Sequence, residues 1–573
     1  MKNIPLYEVR RIRDLKDMLA GSVAEFGDKP AFLRKKNPAA AYEPVSFRQF
    51  QADVNAFGTA LLELGQQGRR VAVIGENQYA WATTYLAVVN GVGIIVPVDR
   101  ELPEADVIRC LKRAQVSTVV FAESKREVVR SIADKVDSVE QWIDMGLASD
   151  EKGFKAFSGL LAQGHDRVRA GFRGYVDAEL DPAAVSVLLF TSATTSEPKA
   201  VQLSHRNLCE NLMAVMSTVR LGPGDIALSI LPIHHTYECT CGFLCPVYSG
   251  AAIAFCDGLR HIPRNLKESG CTMMVVVPLV LETMHKRIWA EAEKKGAAGK
   301  LRLALRISNG LRCIGIDLRR RLFRAVLENL GPHLRLFICG AAALDPEVAK
   351  GFRDLGIATL QGYGLTECSP LVAGNRDRAW KNDAAGLPLP GVDVRIRQPG
   401  SEGVGEIVVK GPSVMLGYYE QPEETARVFT ADGYFRTGDL GYIDADGFLH
   451  ITGRAKNVII AKNGRNVYPE EIESLIGRSP YVLECMVFGK AGARGSDDVE
   501  LAVSIVPAME YIAQTFGAGK PGMEEIRKLL QEVVHGVNQA LPAYKRIRHT
   551  ILRETEFIKT TTKKIKRYLE KPA

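Results

Sequence analysis

The sequence predicts an α/β multidomain chain: a large N-terminal region of two related α/β lobes plus a β subdomain, followed by a small α+β C-terminal domain. Three observations predict it. Short apolar runs alternate with helix-period segments up to about residue 380, the signature of parallel sheets covered by helices. From Val392 onward the apolar period changes to two, as in half-buried antiparallel strands. A boundary then falls near Gly453-Arg454-Ala455-Lys456, and the 120 residues after Gly453 carry strands and helices of their own. The expected division is 1–453, with the lobes ending near 380 and the β subdomain over 381–453, and then 454–573.

The elements follow in chain order. Val71–Ile74 reads as a strand, Glu76–Asn90 as a helix and Ile94–Pro97 as the next strand. Asp106–Ala114 is helical in period, and Val116–Phe121 is a further strand. Val185–Phe190, Ile226–Leu231, Ala251–Phe255, Met273–Val277 and Arg335–Ile338 continue the strand series. Val392–Ile396 and Gly405–Lys410 alternate, and Asp432-Gly433, Asp446-Gly447 and Asn463-Gly464 mark turns. Glu484–Phe488 and Leu501–Val506 are strands of the terminal domain, with helices at Glu470–Gly477 and Met523–Gln539.

At 573 residues, and roughly 100–200 residues per domain, the chain has room for about three to five structural units. Its 46% apolar and 24% charged residues can build large cores and exclude a mostly disordered chain. A net charge of +8 is mild for this length. It permits anionic ligands, and no recognition motif accompanies it, so no nucleic-acid partner is expected. Eleven cysteines are odd in number and sparse. The N-terminus turns charged too soon for a signal peptide, and no run of 18 apolar residues occurs. A cytoplasmic location is expected, open to peripheral membrane contact. The last 33 residues hold ten Lys or Arg against three Glu, with apolar Ile551, Leu552, Phe557 and Ile565 interleaved.

The most informative segment follows Val185–Phe190: Thr191-Ser192-Ala193-Thr194-Thr195-Ser196-Glu197-Pro198-Lys199-Ala200. Five hydroxyls and a lysine on a short loop suit phosphate oxygens. It is not a Walker loop, because the Gly spacing and the Gly-Lys-Ser/Thr ending are absent. Further motifs follow: Gln361-Gly-Tyr-Gly-Leu-Thr-Glu-Cys-Ser-Pro370, Tyr434-Phe-Arg-Thr-Gly-Asp-Leu-Gly441, Ile451-Thr-Gly-Arg-Ala-Lys-Asn457 and Lys559-Thr-Thr-Thr-Lys-Lys-Ile565.

In this order and spacing, the five motifs resemble the adenylate-forming (AMP-binding) family, closest to long- and medium-chain fatty acyl-CoA synthetases. The likeness runs from about residue 25 to 568. It implies an acyl-CoA synthetase-like fold with a mobile C-terminal domain. It also implies ATP-dependent activation of a carboxylic acid to an acyl-adenylate, then transfer to the thiol of coenzyme A. By matching position, Thr191, Ser192, Thr194, Thr195 and Lys199 hold the β- and γ-phosphates. Thr366 meets the α-phosphate, Glu367 helps hold Mg2+, Tyr363 lies on adenine, and Gly340-Ala341 turns beside the base. Asp439 accepts from both ribose hydroxyls and Arg454 reaches ribose or phosphate oxygens. Lys564 stabilises the adenylation transition state, Lys456 is the hinge, and Lys462 and Gly464 lie on the loop lining the thiol channel. Pro469 and Glu471 match the end of that motif.

Leu231-Pro-Ile-His-His-Thr-Tyr-Glu238 resembles the Leu-Pro-x-x-His-x-x-Glu of fatty-acid-activating members. His235 then lies near the carboxylate and Glu238 at the acidic position, with His234 as an extra. The histidine pair and Cys239, Cys241 and Cys245 also raise a metal site, but that cysteine spacing is irregular for zinc. They read as small buried hydrophobes. Asp444-Ala-Asp-Gly447 is a hairpin turn, not a calcium loop, since residue 455 is Ala.

Three family glycines are replaced here by Ala193, Ser196 and Ala200. A β-carbon at a left-handed position costs roughly 1–2 kcal/mol. Lys563 stands where the family has Gly, and Ile558 stands where it has Pro. Two alternatives remain: an acyl carrier protein as acceptor, drawn by the basic C-terminal region, or a non-catalytic nucleotide-binding homologue.

Overall fold

The computed structural model describes residues 4–191, 199–400, 402–461, 465–492, 495–516, 521–559 and 565–570. The chain groups into two compact units. The first comprises 1–394 and 409–435, and the second 395–408 and 436–573. Residues 436–453 therefore group with the C-terminal part, on the other side of the boundary expected at 453.

The first unit holds two sheets. One has eight strands in the order Gly417–Tyr418, Lys199–Ser204, Val185–Thr191, Ile94–Val98, Arg70–Ile74, Thr118–Phe121, Gln141–Asp144 and Lys155–Ala156. Its centre is parallel: Val71 pairs with Ile95 on one side and Thr118 on the other. The Val185–Thr191 and Lys199–Ser204 strands run antiparallel, so the hydroxyl-rich loop is the tip of a hairpin. The other sheet has nine strands, with Ala252–Phe255, Ile226–Ser229, Met273–Val276, Leu336–Cys339 and Ala358–Gly364 as consecutive parallel neighbours. The two expected lobes are these two sheets with their helices.

The central strands are continuous runs of apolar residues because helices cover both faces. Ala72, Ile74, Val96, Val98, Val119 and Phe121 are all buried in one core. In the other, Phe337 and Phe352 meet edge to face at 5.1 Å. Helix starts follow local chemistry. Ser204 and Asn207 close a reciprocal capping box ahead of His205–Met216, and Asp14 caps Leu15–Phe26.

Two element ends differ from expectation. The helix expected over Glu76–Asn90 runs as Tyr79–Ala87 and then as a wide π-turn, Val88–Val92, which kinks at Gly91 with φ of 159°. The strand expected to reach Leu231 stops at Ser229. There Asn77 takes over: its Nδ2 donates to Ser229 Oγ (2.7 Å) and to the Leu231 carbonyl (2.6 Å), diverting that carbonyl from the sheet.

The second unit is built on a four-stranded sheet of Asp393–Arg397, Gly405–Lys410, Phe435–Ile443 and Leu449–Arg454. It also has a three-stranded sheet of Val482–Gly492, Gly495–Pro507 and Ile547–Leu552. Helices Pro469–Gly477 and Met523–Ala540 pack Ile472, Ile476, Ile526, Leu530 and Val534 into its core. The Asp446-Gly447 turn joins Phe435–Ile443 to Leu449–Arg454 as a hairpin. Among the described residues, no helix is long and apolar enough to cross a membrane.

Candidate active site

Several of the residues singled out by sequence gather at one corner of the first unit. Thr191 ends its strand, and its Oγ1 donates to the Lys199 carbonyl (3.3 Å). The Lys199 ammonium lies 2.9 Å from Glu424 and 4.8 Å above the Tyr418 ring. Tyr418 in turn donates from its hydroxyl to Glu367 Oε1 (3.0 Å). Burial, with Glu367 next, keeps that phenol protonated. One tyrosine thus touches both a cation and a carboxylate from distant sequence, the first at its ring face and the second at its hydroxyl.

The turn bearing Thr366 and Glu367 is fixed by its neighbours. Asn211 Nδ2 donates to the carbonyls of Cys368 (3.3 Å) and Leu371 (2.7 Å), and the Glu367 carbonyl accepts from Met415 N–H (2.8 Å). Gly364 has no alternative: a β-carbon there would sit 1.9 Å from the Pro370 carbonyl oxygen. Tyr363 lies half-buried on the same strand, opposite Ala373.

Gly340 and Ala341 follow the strand Leu336–Cys339. A β-carbon on Gly340 would meet the Tyr237 ring at 2.9 Å, so glycine lets that ring close on the turn. Tyr237 anchors there by donating to the Ile338 carbonyl (2.9 Å). Ala341 sits at φ of 70°, a left-handed backbone that costs a non-glycine residue of order 1–2 kcal/mol. The strain therefore falls at one of the family-matched positions.

The segment Leu231–Glu238 runs beside this turn. Asn77 Oδ1 accepts from Ile233 N–H (3.0 Å), completing its grip on the loop. Glu238 is buried, and burial pushes its carboxyl up to about 8. Ser229 Oγ donates to Glu238 Oε1 at 2.6 Å, while Oε2 has no hydrogen-bond partner. The His234 and His235 rings lie against each other with centroids 4.2 Å apart and planes tilted by 43°. His234 is buried with no hydrogen bond at either nitrogen, and its Nε2 lies 3.6 Å from Asp99 Oδ1.

Asp99, His234 and His235 offer three potential metal donors within 4.8 Å of one another, the one such group among the described residues. Two imidazoles and a carboxylate suit zinc. Magnesium prefers oxygen ligands throughout, whereas this trio offers one carboxylate beside two imidazole nitrogens. Cys239, Cys241 and Cys245 are buried and take no part in the group.

In the second unit Asp439 and Arg454 face each other across a hairpin, with Arg454 Nε 2.8 Å from Asp439 Oδ1. Asp439 is buried, whereas Arg454 is 43% exposed, so the charge is held at the surface end of a fixed pair. Thr437 Oγ1 accepts from Asp439 N–H (3.0 Å) and donates to the Ile407 carbonyl (2.8 Å). Lys456 is exposed in the short turn Ala455–Asn457, and Asn457 Nδ2 donates to Glu470 (2.6 Å).

Ser192, Ala193, Thr194, Thr195, Ser196, Lys462, Gly464, Lys563 and Lys564 lie outside the described residues. Their flanks are described. Ile459–Ile460 and Asn466–Val467 pair on either side of residues 462–464. Lys559 bridges to Ile565, and Lys566 N–H donates to the Ile558 carbonyl (2.8 Å), so both ends of 560–564 are tied together. Ala200, one of the three replaced glycines, is buried within Lys199–Ser204 opposite Phe190. It is not among the left-handed residues, so its β-carbon carries none of the expected strain.

Sequence reasoning did not find Asn77, Asp99, Tyr418 or Glu424. Each acts on a motif residue far away along the chain, and none lies in a motif of its own.

The AMP-binding enzyme family matches residues 19–419, and the AMP-binding enzyme C-terminal domain matches residues 456–569. The chain belongs to this family, as an adenylate-forming enzyme of the acid–thiol ligase class. Long-chain-fatty-acid–CoA ligase 1 of Cavia porcellus is 28% identical over 613 residues, covering 97% of this chain and 84% of the relative. ATP-bound MatB from Rhodopseudomonas palustris superposes with a TM-score of 0.73 at 25% identity, covering 97% and 98% of the two chains. The anthranilate CoA ligase AuaEII, in complex with anthranoyl-AMP, shares the fold with a TM-score of 0.75 at 20% identity over 99% and 98%.

Proposed function

We propose that this protein activates a fatty acid with ATP and transfers the acyl group to coenzyme A. In the first half-reaction a carboxylate oxygen attacks the α-phosphorus, the bond to the β-phosphate breaks, and pyrophosphate leaves. In the second, the thiol sulfur attacks the acyl carbonyl carbon, the thiol proton is lost, and AMP leaves. The Lys199–Tyr418–Glu367 corner carries this reading: a cation for the triphosphate stands beside a carboxylate for its metal.

The chain's own residues divide the work. Lys199 and the hydroxyls of Thr191, Ser192, Thr194 and Thr195 bind the outer phosphates. Thr366 orients the α-phosphate, Tyr363 and the Gly340-Ala341 turn receive adenine, and Asp439 with Arg454 takes the ribose. Half-buried Glu367, with one oxygen already held by Tyr418, fits a magnesium ion. Magnesium, when bound, offsets phosphate charge as the carboxylate approaches. His235 lies at the acid's carboxylate, and Lys564 stabilises the pentavalent transition state. Lys456 serves as the hinge, and Lys462 and Gly464 line the thiol path. The relative named long-chain-fatty-acid–CoA ligase supports the fatty acid, together with the Leu231–Glu238 match.

The test is a panel of C2 to C18 acids and benzoates with ATP, magnesium and either coenzyme A or acyl carrier protein. Pyrophosphate and thioester are both monitored. Lys564→Ala is expected to slow adenylate formation by about 10²–10³-fold while sparing thioester formation from a supplied acyl-adenylate. Lys563→Ala giving that result instead would move the role by one residue. No pyrophosphate with any acid would end the proposal.

A further inference from the structure

The chain's charge is not spread evenly. Residues 278–324 hold twelve Lys or Arg and four Asp or Glu, while the rest of the chain holds 62 of each sign. The excess of this one stretch thus equals the whole net charge of +8. It folds as helices Pro278–Lys294, Ala298–Cys313 and Arg319–Leu322 of the first unit.

Ala298–Cys313 is helical but buries only Ser308, whereas most of His205–Met216 is buried. Leu303 is 59% exposed, Ile307 52% and Ile314 71%. At about 100° per residue Leu303 and Ile307 fall within about 40° of one another in one apolar stripe, and Ile314 follows directly after the last helical residue, Cys313. Lys300 and Arg306 lie about 60° to either side of Leu303. Leu279, Ile316 and Leu322 add exposed aliphatic surface from the neighbouring segments.

The charges beside the stripe are largely unanswered. Among the described residues, Arg287, Lys300, Arg306 and Arg321 join no ion pair. The pairs formed in this stretch are Lys295–Glu291, Arg312–Asp354, Arg319–Asp317 and Arg324–Glu328. Arg302 lies 5.4 Å above the Trp289 ring. An exposed aliphatic stripe edged by free cations is the surface of a helix that lies in a membrane interface. The aliphatic stripe supplies what a nucleic-acid surface does not need, and the cations supply what a neutral apolar partner does not need.

We propose that this face docks on an anionic lipid bilayer. Leu303, Ile307 and Ile314 enter the boundary between headgroups and acyl chains, and Lys300 and Arg306 pair with lipid phosphates. The proposal stands on exposure and charge and is independent of the assigned catalytic residues.

Cosedimentation of the full chain with vesicles tests it. Binding is expected to mixed phosphatidylcholine–phosphatidylglycerol vesicles, weakly or not at all to pure phosphatidylcholine, and to fall as salt rises. The variant Leu303→Ser/Ile307→Ser/Ile314→Ser and the variant Lys300→Glu/Arg306→Glu are each expected to lower partitioning at least about tenfold. Their melting temperatures should match the parent, which separates lost docking from lost folding. Equal binding to both vesicle types overturns the proposal, as does undiminished binding by either variant. Binding to DNA with no vesicle binding overturns it too, assigning the charge to a soluble polyanion.

Discussion

The two most basic stretches of the chain each pair four described cations with carboxylates, yet four of twelve are paired in 278–324 and four of the seven described from Leu541 onward. From Leu541 to the end, ten Lys or Arg stand against three Glu. There, several cations are answered inside their own unit. Lys545 lies 2.7 Å from Glu471, Arg553 2.6 Å from Glu570, Lys559 contacts Glu484 and Glu556, and Arg567 forks onto Glu473. Between residues 278 and 324 the excess is similar, yet Lys300, Arg306 and Arg321 join no ion pair among the described residues. The counts look alike because the answering acids Glu471, Glu473 and Glu484 lie far upstream. A basic run is a clamp where folding brings carboxylates to it, and a recognition surface where it does not.

The clamp reaches the described residues on both sides of 560–564. Phe557 N–H donates to Glu484 (3.2 Å), Ile558 N–H donates to Glu570 (2.6 Å), and Arg567 also donates to the Val487 carbonyl (3.0 Å). These contacts tie down both flanks of the segment that carries Lys564. Breaking the clamp gives the largest expected effect. Glu473 is buried, and burial pushes it up to about 7 against the pull of Arg567. Glu473→Ala leaves Arg567 without its carboxylate partner, and such losses cost about 3–5 kcal/mol. Denaturant unfolding followed by a probe in residues 436–573 should report that loss. A change under about 1 kcal/mol would place this pair among ordinary surface bridges and erase the contrast between the two stretches.

A carboxyl buried without a cation sharpens the comparison. Glu238 has Ser229 as its hydrogen-bond donor, and its folded value of about 8 stands above its ordinary 4.5. Between those values the unfolded chain gives up the proton and the folded chain keeps it. Stability from this group therefore falls as pH rises through that window, at about 1.4 kcal/mol per unit. Glu238→Gln keeps the acceptor for Ser229 and removes the titration. The variant should gain on the order of a few kcal/mol over the parent at pH 8, and little at pH 4. Melting curves across pH 4–9 check this, and a gain independent of pH would mean that Glu238 is not titrating in that window.

What was legible in the sequence follows from range. Apolar runs such as Val71–Ile74 and Met273–Val277 declare buried parallel strands within a few residues, and the strands lie there. The hydroxyl loop and the Gly-Tyr-Gly-Leu-Thr-Glu segment announce themselves because their chemistry is contiguous. What stayed hidden is non-local. Tyr418 gives no sign of reaching Glu367, nor Asn77 of ending a strand at Ser229. The concern over Ala200 came from glycine arithmetic alone, and pairing with Phe190 in a strand removes it. The boundary expected at Gly453 follows the separate run of strands and helices after it, whereas the compact units keep together the hairpin that joins Phe435–Ile443 to Leu449–Arg454.

The smallest expected effect is the most discriminating. If Lys300 and Arg306 belong to a recognition surface, they contribute almost nothing to the fold. Lys300→Glu/Arg306→Glu should then change unfolding free energy by less than about 0.5 kcal/mol, as surface changes without specific partners do. Reversing two charges in a stretch of such high positive excess relieves mutual repulsion, so the sign should be slightly stabilising at low salt and vanish as screening increases. A loss of 2 kcal/mol or more, on the order of a broken buried contact, would mean that carboxylates in the folded chain hold these two cations. The helices would then be a second clamp, built like the one around Arg567.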